Sequence, residues 1–338
     1  MKRVVLISAV VVIGALSVIL VASCKEKDGV YNPKGKISKI YYEDYVMYEG
    51  TAKPVYTQPK ELVEVWTWDK KKLMQIESKE DGYTWALQFV YKGNQVQEIK
   101  SGDDIFKFTY DDKTKLKKIE VVDEQSRPKL NITVVERNGD NKITRLTYEQ
   151  FTYTEDPSEK ALLRKLRPVA NIMMGENVGE TMVNGMEENV KMRKATTTVT
   201  TQVELTYEGN NVSEERRIIT IGSSAESMLI KYKYDNKSNP YYLALALMYD
   251  SYLSSARGTE KLDALFATTS ENNVESYTTY NPNAAKPEIA IDTVQFVYKY
   301  NSDGFPTERD KIKEGVMPNL EATKYTAHKV YYYEYITK

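Results

Sequence analysis

The sequence predicts a mainly β fold: an antiparallel β-hairpin meander rolled into a strongly curved sheet, closed or half-closed, with short helical insertions. Three observations predict it. Alternating apolar strands end again and again in an aromatic residue, at Trp68, Tyr91, Tyr110, Tyr207, Tyr234 and Tyr300. Each of these has an apolar residue two positions earlier (Trp66, Phe89, Phe108, Leu205, Tyr232, Tyr298), and side chains two apart share one face of a strand. Polar turns follow, and the chain reopens on an apolar residue five or six positions after the aromatic, at Leu73, Val96, Leu116, Val212 or Phe305.

The turns, such as Tyr91-Lys92-Gly93-Asn94 and Tyr207-Glu208-Gly209-Asn210, hold residues that tolerate positive φ or hydrogen-bond their own backbone. In three return strands a second apolar residue follows after three positions, at Ile76, Ile99 and Ile119. Weaker copies run from Tyr31 to Ile40 and from Val135 to Leu146 around Asn138-Gly139. Anchors 23 and 19 residues apart, from Trp68 to Tyr91 to Tyr110, leave room for two strands and two turns, as a meander requires. Residues off the apolar face are Lys, Glu, Thr and Gln, so one side of the sheet is expected to be wet. A bilayer-spanning barrel would need an outward apolar band instead.

Two stretches interrupt the rhythm, at about 155–195 and 239–280. Asp156-Pro157-Ser158-Glu159 supplies a helix start, Leu162, Leu163 and Leu166 an apolar side, and Pro168 a stop. The polar stretch from Asn171 to Arg193 predicts a long loop. Tyr241 to Leu253 and Thr259 to Phe266 read as helices that cover one end or face of the sheet.

The N-terminus carries an address. Lys2 and Arg3 precede an almost unbroken run of Val, Ile, Leu and Ala from Val4 to Val21, a signal-peptide pattern. It closes on Val21-Ala22-Ser23-Cys24, which resembles a lipobox with Val in place of the usual Leu. The expected organisation is a signal peptide over 1–23, a lipidated tether over 24–30 and a single β-repeat domain over 31–338. Acylated Cys24 would hold the chain to a membrane. Lys25 after Cys24 favours the outer membrane, facing the periplasm or the cell surface, and Lys25-Glu26-Lys27-Asp28 hints at export to the surface.

Composition excludes several functions. Removal of the signal leaves 315 residues with 45 basic and 48 acidic side chains, a balance without a nucleic-acid footprint. Cys24 is the chain's one cysteine and His328 its one histidine. Cysteine–histidine dyads, zinc fingers and clustered histidine sites therefore lack their parts, and neither metal nor cofactor is expected.

The segments Asp235-Asn236-Lys237-Ser238-Asn239-Pro240, Ser270-Glu271-Asn272-Asn273-Val274 and Tyr300-Asn301-Ser302-Asp303-Gly304-Phe305-Pro306 carry a resemblance. The mature chain resembles Bacteroides-type outer-membrane lipoproteins of unknown function built from successive β-hairpins, a family whose domain is porin-like in shape. The resemblance implies a porin-like barrel or half-barrel and an envelope location; it brings no catalytic residues with it. Hairpin repeats of tyrosine plus turn also occur in the tyrosine-aspartate repeats of shell-forming toxins, whose Gly-Arg core is absent here.

Candidate chemistry is sparse. Trp66, Trp68 and Trp85 fall within 20 residues and could form a platform for sugar rings, or pack as cross-strand core. The acidic pairs Asp103-Asp104, Asp111-Asp112 and Glu187-Glu188 offer acid–base partners but sit in expected turns or loops. His328, placed in the penultimate strand region, reads as structural. The expected function is a non-enzymatic binding or interaction module, for a glycan or an envelope protein. The alternatives are a carrier for a lipid-like ligand in an apolar cavity and a glycan-active enzyme that uses carboxylates.

Overall fold

The computed structural model describes residues 28–80, 83–112, 114–124, 126, 128–151, 199–242, 270–316 and 323–336. Among them are sixteen strands: β1 (Ile37–Tyr48), β2 (Val55–Asp69), β3 (Lys72–Glu80), β4 (Tyr83–Lys92), β5 (Gln95–Ser101), β6 (Asp104–Tyr110), β7 (Leu116–Val122), β8 (Pro128–Arg137), β9 (Ile143–Gln150), β10 (Val199–Glu208), β11 (Asn211–Ile221), β12 (Ser224–Ser238), β13 (Asn272–Tyr280), β14 (Ala290–Tyr300), β15 (Pro306–Val316) and β16 (Lys324–Tyr335). Each pairs antiparallel with its neighbour in sequence, and β1 pairs with β16, so the sheet is a closed barrel. The half-closed alternative is not formed, because register runs along that seam from Ile37–Tyr335 to Tyr48–Tyr325. Closure removes the two edge strands that an open meander would expose.

No helix occurs among the described residues. Tyr241 and Tyr242, where a helix was expected to start, lie in a turn closed by Tyr242 N–H donating to the Asn239 carbonyl at 3.3 Å. The rest of the helical readings, over 157–168, 243–253 and 259–266, and the loop over 171–193 lie outside the described residues.

One hairpin design recurs eight times around the wall. Opposite each anchor the ladder slips by one residue, at Trp68, Tyr91, Tyr110, Arg137, Tyr207, Tyr234 and Tyr300, and again at Ile37 on the seam. An extra residue in the return strand converts the inward spacing from two to three. Leu73 and Ile76, Val96 and Ile99, Leu116 and Ile119, and Ile143 and Leu146 are buried pairs of this kind.

The bulge has a second product. The carbonyl of the residue that opens each return strand receives a side-chain hydrogen bond from the next unit. Trp68 Nε1 donates to Ile37 O, Tyr91 Oη to Leu73 O, Tyr110 Oη to Val96 O and Arg137 Nη2 to Leu116 O, at 2.6–3.0 Å. Tyr207 Oη donates to Ile143 O, Tyr234 Oη to Val212 O, Tyr298 Oη to Val274 O and Tyr335 Oη to Pro306 O, at 2.7–2.9 Å. These eight bonds make a ring of latches at one rim. Seven use an aromatic N–H or O–H, and the unit around Asn138-Gly139 uses Arg137 instead.

The seam obeys the same plan without a covalent turn. In the hairpins at Asp111, Asn138 and Asn301 the residue after the anchor donates its N–H to the residue before the return strand, at 2.8–3.0 Å. Ile336 N–H donates to Lys36 O at 2.9 Å in the same way. The weaker repeat expected over Tyr31 to Ile40 is thus half of a hairpin whose first strand is β16.

Inward side chains join one apolar core, from Ile37 and Ile40 through Phe106, Ile119 and Leu146 to Phe296 and Tyr333. Sixteen-stranded porins hold water in the bore, whereas here the inward aliphatics are dry. The outer wall of β5 to β7 carries Lys100, Lys107, Thr109, Lys118 and Glu120, as expected for a wet face. In two units charge replaces the second inward apolar residue. Glu215, 1% exposed, pairs with Arg217 at 2.5 Å and accepts from Tyr232 Oη at 2.6 Å. Arg309 lies 4.4 Å from the Tyr331 ring and 5.7 Å from Phe296.

Two predictions follow from this wall. Tyr110→Phe keeps the ring but strips the donor from the Val96 carbonyl, so stability should fall by about 1–2 kcal/mol in urea unfolding; an unchanged midpoint would remove the latch from the account. Burial holds the hydroxyls of Tyr31, Tyr148, Tyr232, Tyr241 and Tyr298 well above the ordinary phenol range. Their stabilisation is complete below the unfolded value near 10 and is lost as pH rises from there toward the folded values, by about 1.4 kcal/mol per tyrosine per pH unit. Phenolate absorbance should therefore rise in one cooperative step together with loss of circular dichroism, whereas smooth titration of an intact barrel would contradict this burial.

Candidate functional site

The three tryptophans face into the barrel. Trp66 is 4% exposed and donates through Nε1 to Glu64 Oε2 at 2.8 Å. Its ring lies 6.5 Å from Trp68 and 6.1 Å from Tyr241, while Tyr31 packs 5.7 Å from Trp68. Trp85, partly buried, also packs on the core opposite Ser78. Their ring faces are spent on core and on the latched rim. Cys24 and Glu187-Glu188 lie outside the described residues. Asp111 caps its own turn by accepting from Lys115 N–H at 2.8 Å, and Asp104 pairs with Lys129. Asp103 meets the exposed carboxyl of Glu124 at the rim, where neighbouring acids crowd on the surface rather than in a cleft.

The outer face around the seam holds a different cluster. On β1 the outward residues are Tyr41, Glu43 and Tyr45, and on β16 they are His328, Val330 and Tyr332, which stand directly opposite in register. Tyr45 stacks on His328 with centroids 4.6 Å apart and planes at 10°, and Tyr56 of β2 adds a ring 5.5 Å from Tyr45. His328 Nδ1 lies 2.8 Å from Asp310 Oδ2 on β15. Lys60 sits 3.4 Å from the Tyr332 ring centroid, and Tyr332 Oη donates to Glu43 at 2.5 Å. His328 thus belongs to the last strand, not the penultimate one, and its imidazole lies on the outside.

Electrostatics here are set by crowded carboxylates. Burial raises the Asp310 carboxyl above its ordinary range against the opposing bond from His328, and Glu308 and Glu43 push the same way as burial. Its Oδ1 is buried without a hydrogen-bond partner. Burial, followed by Asp310 and Glu43, pushes Tyr45 up to about 12. Exposed apolar groups continue the strip: Tyr56, 54% exposed, with Val55 before it on β2, and Val297, 55% exposed, opposite Asp310. Flat rings next to acceptor oxygens suit a ligand with apolar faces and hydroxyl groups. Among the described residues, no group of three or more His, Cys, Asp or Glu side chains is arranged to hold a metal ion.

Consecutive aromatics carried the signal for this site. Alternation places one face of a strand in the core, so Tyr331-Tyr332-Tyr333 and Tyr41-Tyr42 put rings on both faces. Because the strip faces outward, Tyr45→Ala should leave the barrel folded, with a loss within about 1 kcal/mol in thermal unfolding; a collapsed or unfolded variant would make Tyr45 part of the seam's packing.

No family model matches the chain, and no curated protein does. Among solved structures it is similar to a porin-like protein from Bacteroides uniformis, at 12% identity and a TM-score of 0.45, over 88% of this chain and 98% of that one. It is also similar to TcdB2-TccC3-TEV, at 10% identity and a TM-score of 0.24, over 82% of this chain and 15% of that one. At these TM-scores the likenesses add nothing to the strand pairing, on which the barrel stands.

Proposed function

We propose that the chain is an envelope-anchored lipoprotein whose barrel is a non-enzymatic binding module, with the outer strip at the seam as its ligand surface. One observation carries the reading: a wall that over β5 to β7 shows Lys, Glu and Thr to water, and elsewhere exposes single apolar side chains such as Val90 and Val135, gathers Tyr41, Tyr45, Tyr56, His328 and Tyr332 in one place, beside Glu43, Glu308 and Asp310. Sugars suit such a surface, because their C–H faces lie on rings while hydroxyls donate to carboxylates. The lipobox at Cys24 supports the anchor, and an acylated cysteine would hold the chain in the outer membrane.

Titration of the full-length chain with envelope polysaccharide fractions tests the binding reading. Saturable binding is expected, with Tyr45→Ala plus Tyr56→Ala weakening it about tenfold or more, the equivalent of roughly 1.4 kcal/mol. Unchanged binding by a folded double variant would move the site elsewhere. Separately, a palmitate analogue should label wild type and not Cys24→Ser.

A further inference from the structure

We infer that the latched rim is the membrane-facing end of the barrel, and that its basic crescent rests on anionic lipid headgroups. The inference rests on the lipid-anchor reading and adds an orientation to it.

The chain joins the barrel at Asp28, on the latched rim. Asp28 is held by four groups: Leu116 N–H at 2.8 Å, Lys115 at 3.3 Å, Arg137 at 2.5 Å and the Thr114 carbonyl, to which its own N–H donates at 3.2 Å. Gln95 Nε2 donates to the Asp28 carbonyl at 2.9 Å, and Val96 N–H donates to Gly29 O at 3.0 Å. From there the chain crosses the mouth. Tyr31 is buried and donates to the Pro240 carbonyl at 2.6 Å, and Gly35 lies so close to Phe305 that a Cβ would meet the ring at 2.8 Å. Each of these contacts is at the latched rim. Cys24 is four residues from Asp28, a reach of about 14 Å at full extension. An acyl chain on Cys24 therefore draws this rim, and not the other, to the bilayer.

Charge agrees with this direction. Around the turn between β2 and β3 stand Lys70, Lys71 and Lys72, joined by Lys92 in the next hairpin and by Lys34 and Lys36 from the crossing segment. Lys36 donates to the Lys70 carbonyl, which brings the two groups together. This arc sets six lysines against Asp69, while the remaining described turns of the same rim are mixed, with Asp111, Asp112, Asp140, Glu271 and Asp303 beside Lys115 and Lys142. The described turns of the opposite rim hold Glu49, Asp103, Asp123, Glu124 and Glu288 against Lys53 and Lys286. A carboxylate hydrogen bond from Asp103 raises Glu124, as crowded acids do. Even the seven residues of β6 separate the rims by about 20 Å, roughly two Debye lengths in physiological salt, so each rim meets its surroundings separately.

The full-length lipidated protein tests the orientation. With Cys24 acylated, a cysteine placed by Asn94→Cys on the latched rim or by Ala52→Cys on the far rim is the one thiol open to a fluorophore. In vesicles of phosphatidylethanolamine and phosphatidylglycerol, a headgroup-linked quencher should dim the Asn94→Cys dye several-fold more than the Ala52→Cys dye. Lys70→Glu, Lys71→Glu and Lys92→Glu together should reduce that quenching in these vesicles and leave it unchanged in purely zwitterionic ones. Equal quenching of both dyes, or the reverse order, in protein that floats with the vesicles overturns the orientation. Quenching that ignores the lysine changes overturns the role of charge. Protein that does not float marks failure of the lipid anchor itself, a distinct result.

Discussion

A single carbonyl per hairpin governs this barrel. A bulge interrupts the ladder of each return strand, and beside it one backbone oxygen accepts a side-chain hydrogen bond, where a buried oxygen without a donor would be costly. The next hairpin answers with a side chain that reaches across, so every unit completes the one before it. Tyrosine suits the task, since its ring fills the core edge and its hydroxyl still reaches a partner. The result is a circular dependence in which no hairpin is fully satisfied alone.

That dependence also explains why the sheet closes. A meander of this length would leave β1 and β16 as long unpaired edges. Here Tyr335 supplies the latch to Pro306, Ile37 accepts the latch from Trp68, and Ile336 and Lys36 form the turn-like bond between strands from opposite ends of the chain. The seam is a repeat unit assembled from two termini. The same seam carries the strip of rings and carboxylates on the outer wall, because β1 and β16 are rich in tyrosine on both faces.

Much of the hairpin plan was legible because its signals are local. The anchors, the turn residues and the three-residue step from Leu73 to Ile76 or from Val96 to Ile99 all lie within one unit. The step of three was the bulge written in sequence. Arg137 in place of tyrosine left one unit legible only as a weaker copy over Val135 to Leu146, and Glu215 and Arg309 broke the apolar pattern in two others, because their charges are satisfied by Arg217 and by ring faces that only folding brings near. Sequence left a closed and a half-closed sheet as alternatives, and the latches were not legible, since donor and acceptor belong to different hairpins. The tryptophans attracted attention by rarity, yet rarity says nothing about which face of a strand they occupy. His328 was noticed as the lone histidine, but Tyr45 and Asp310 reach it only through strand pairings at the seam.

The shared last unit constrains how the chain acquires its shape. Glu43 and Tyr332 meet across 289 positions, so the ring cannot be completed until the final strand is present. Contacts of such separation are slow to form and come late in folding. A chain made from its N-terminus carries β1 without its seam partner until β16 follows, so the geometry that finishes the barrel also postpones it. Synthesis and barrel closure are thereby set in order by where the seam divides one hairpin between the first and last strands.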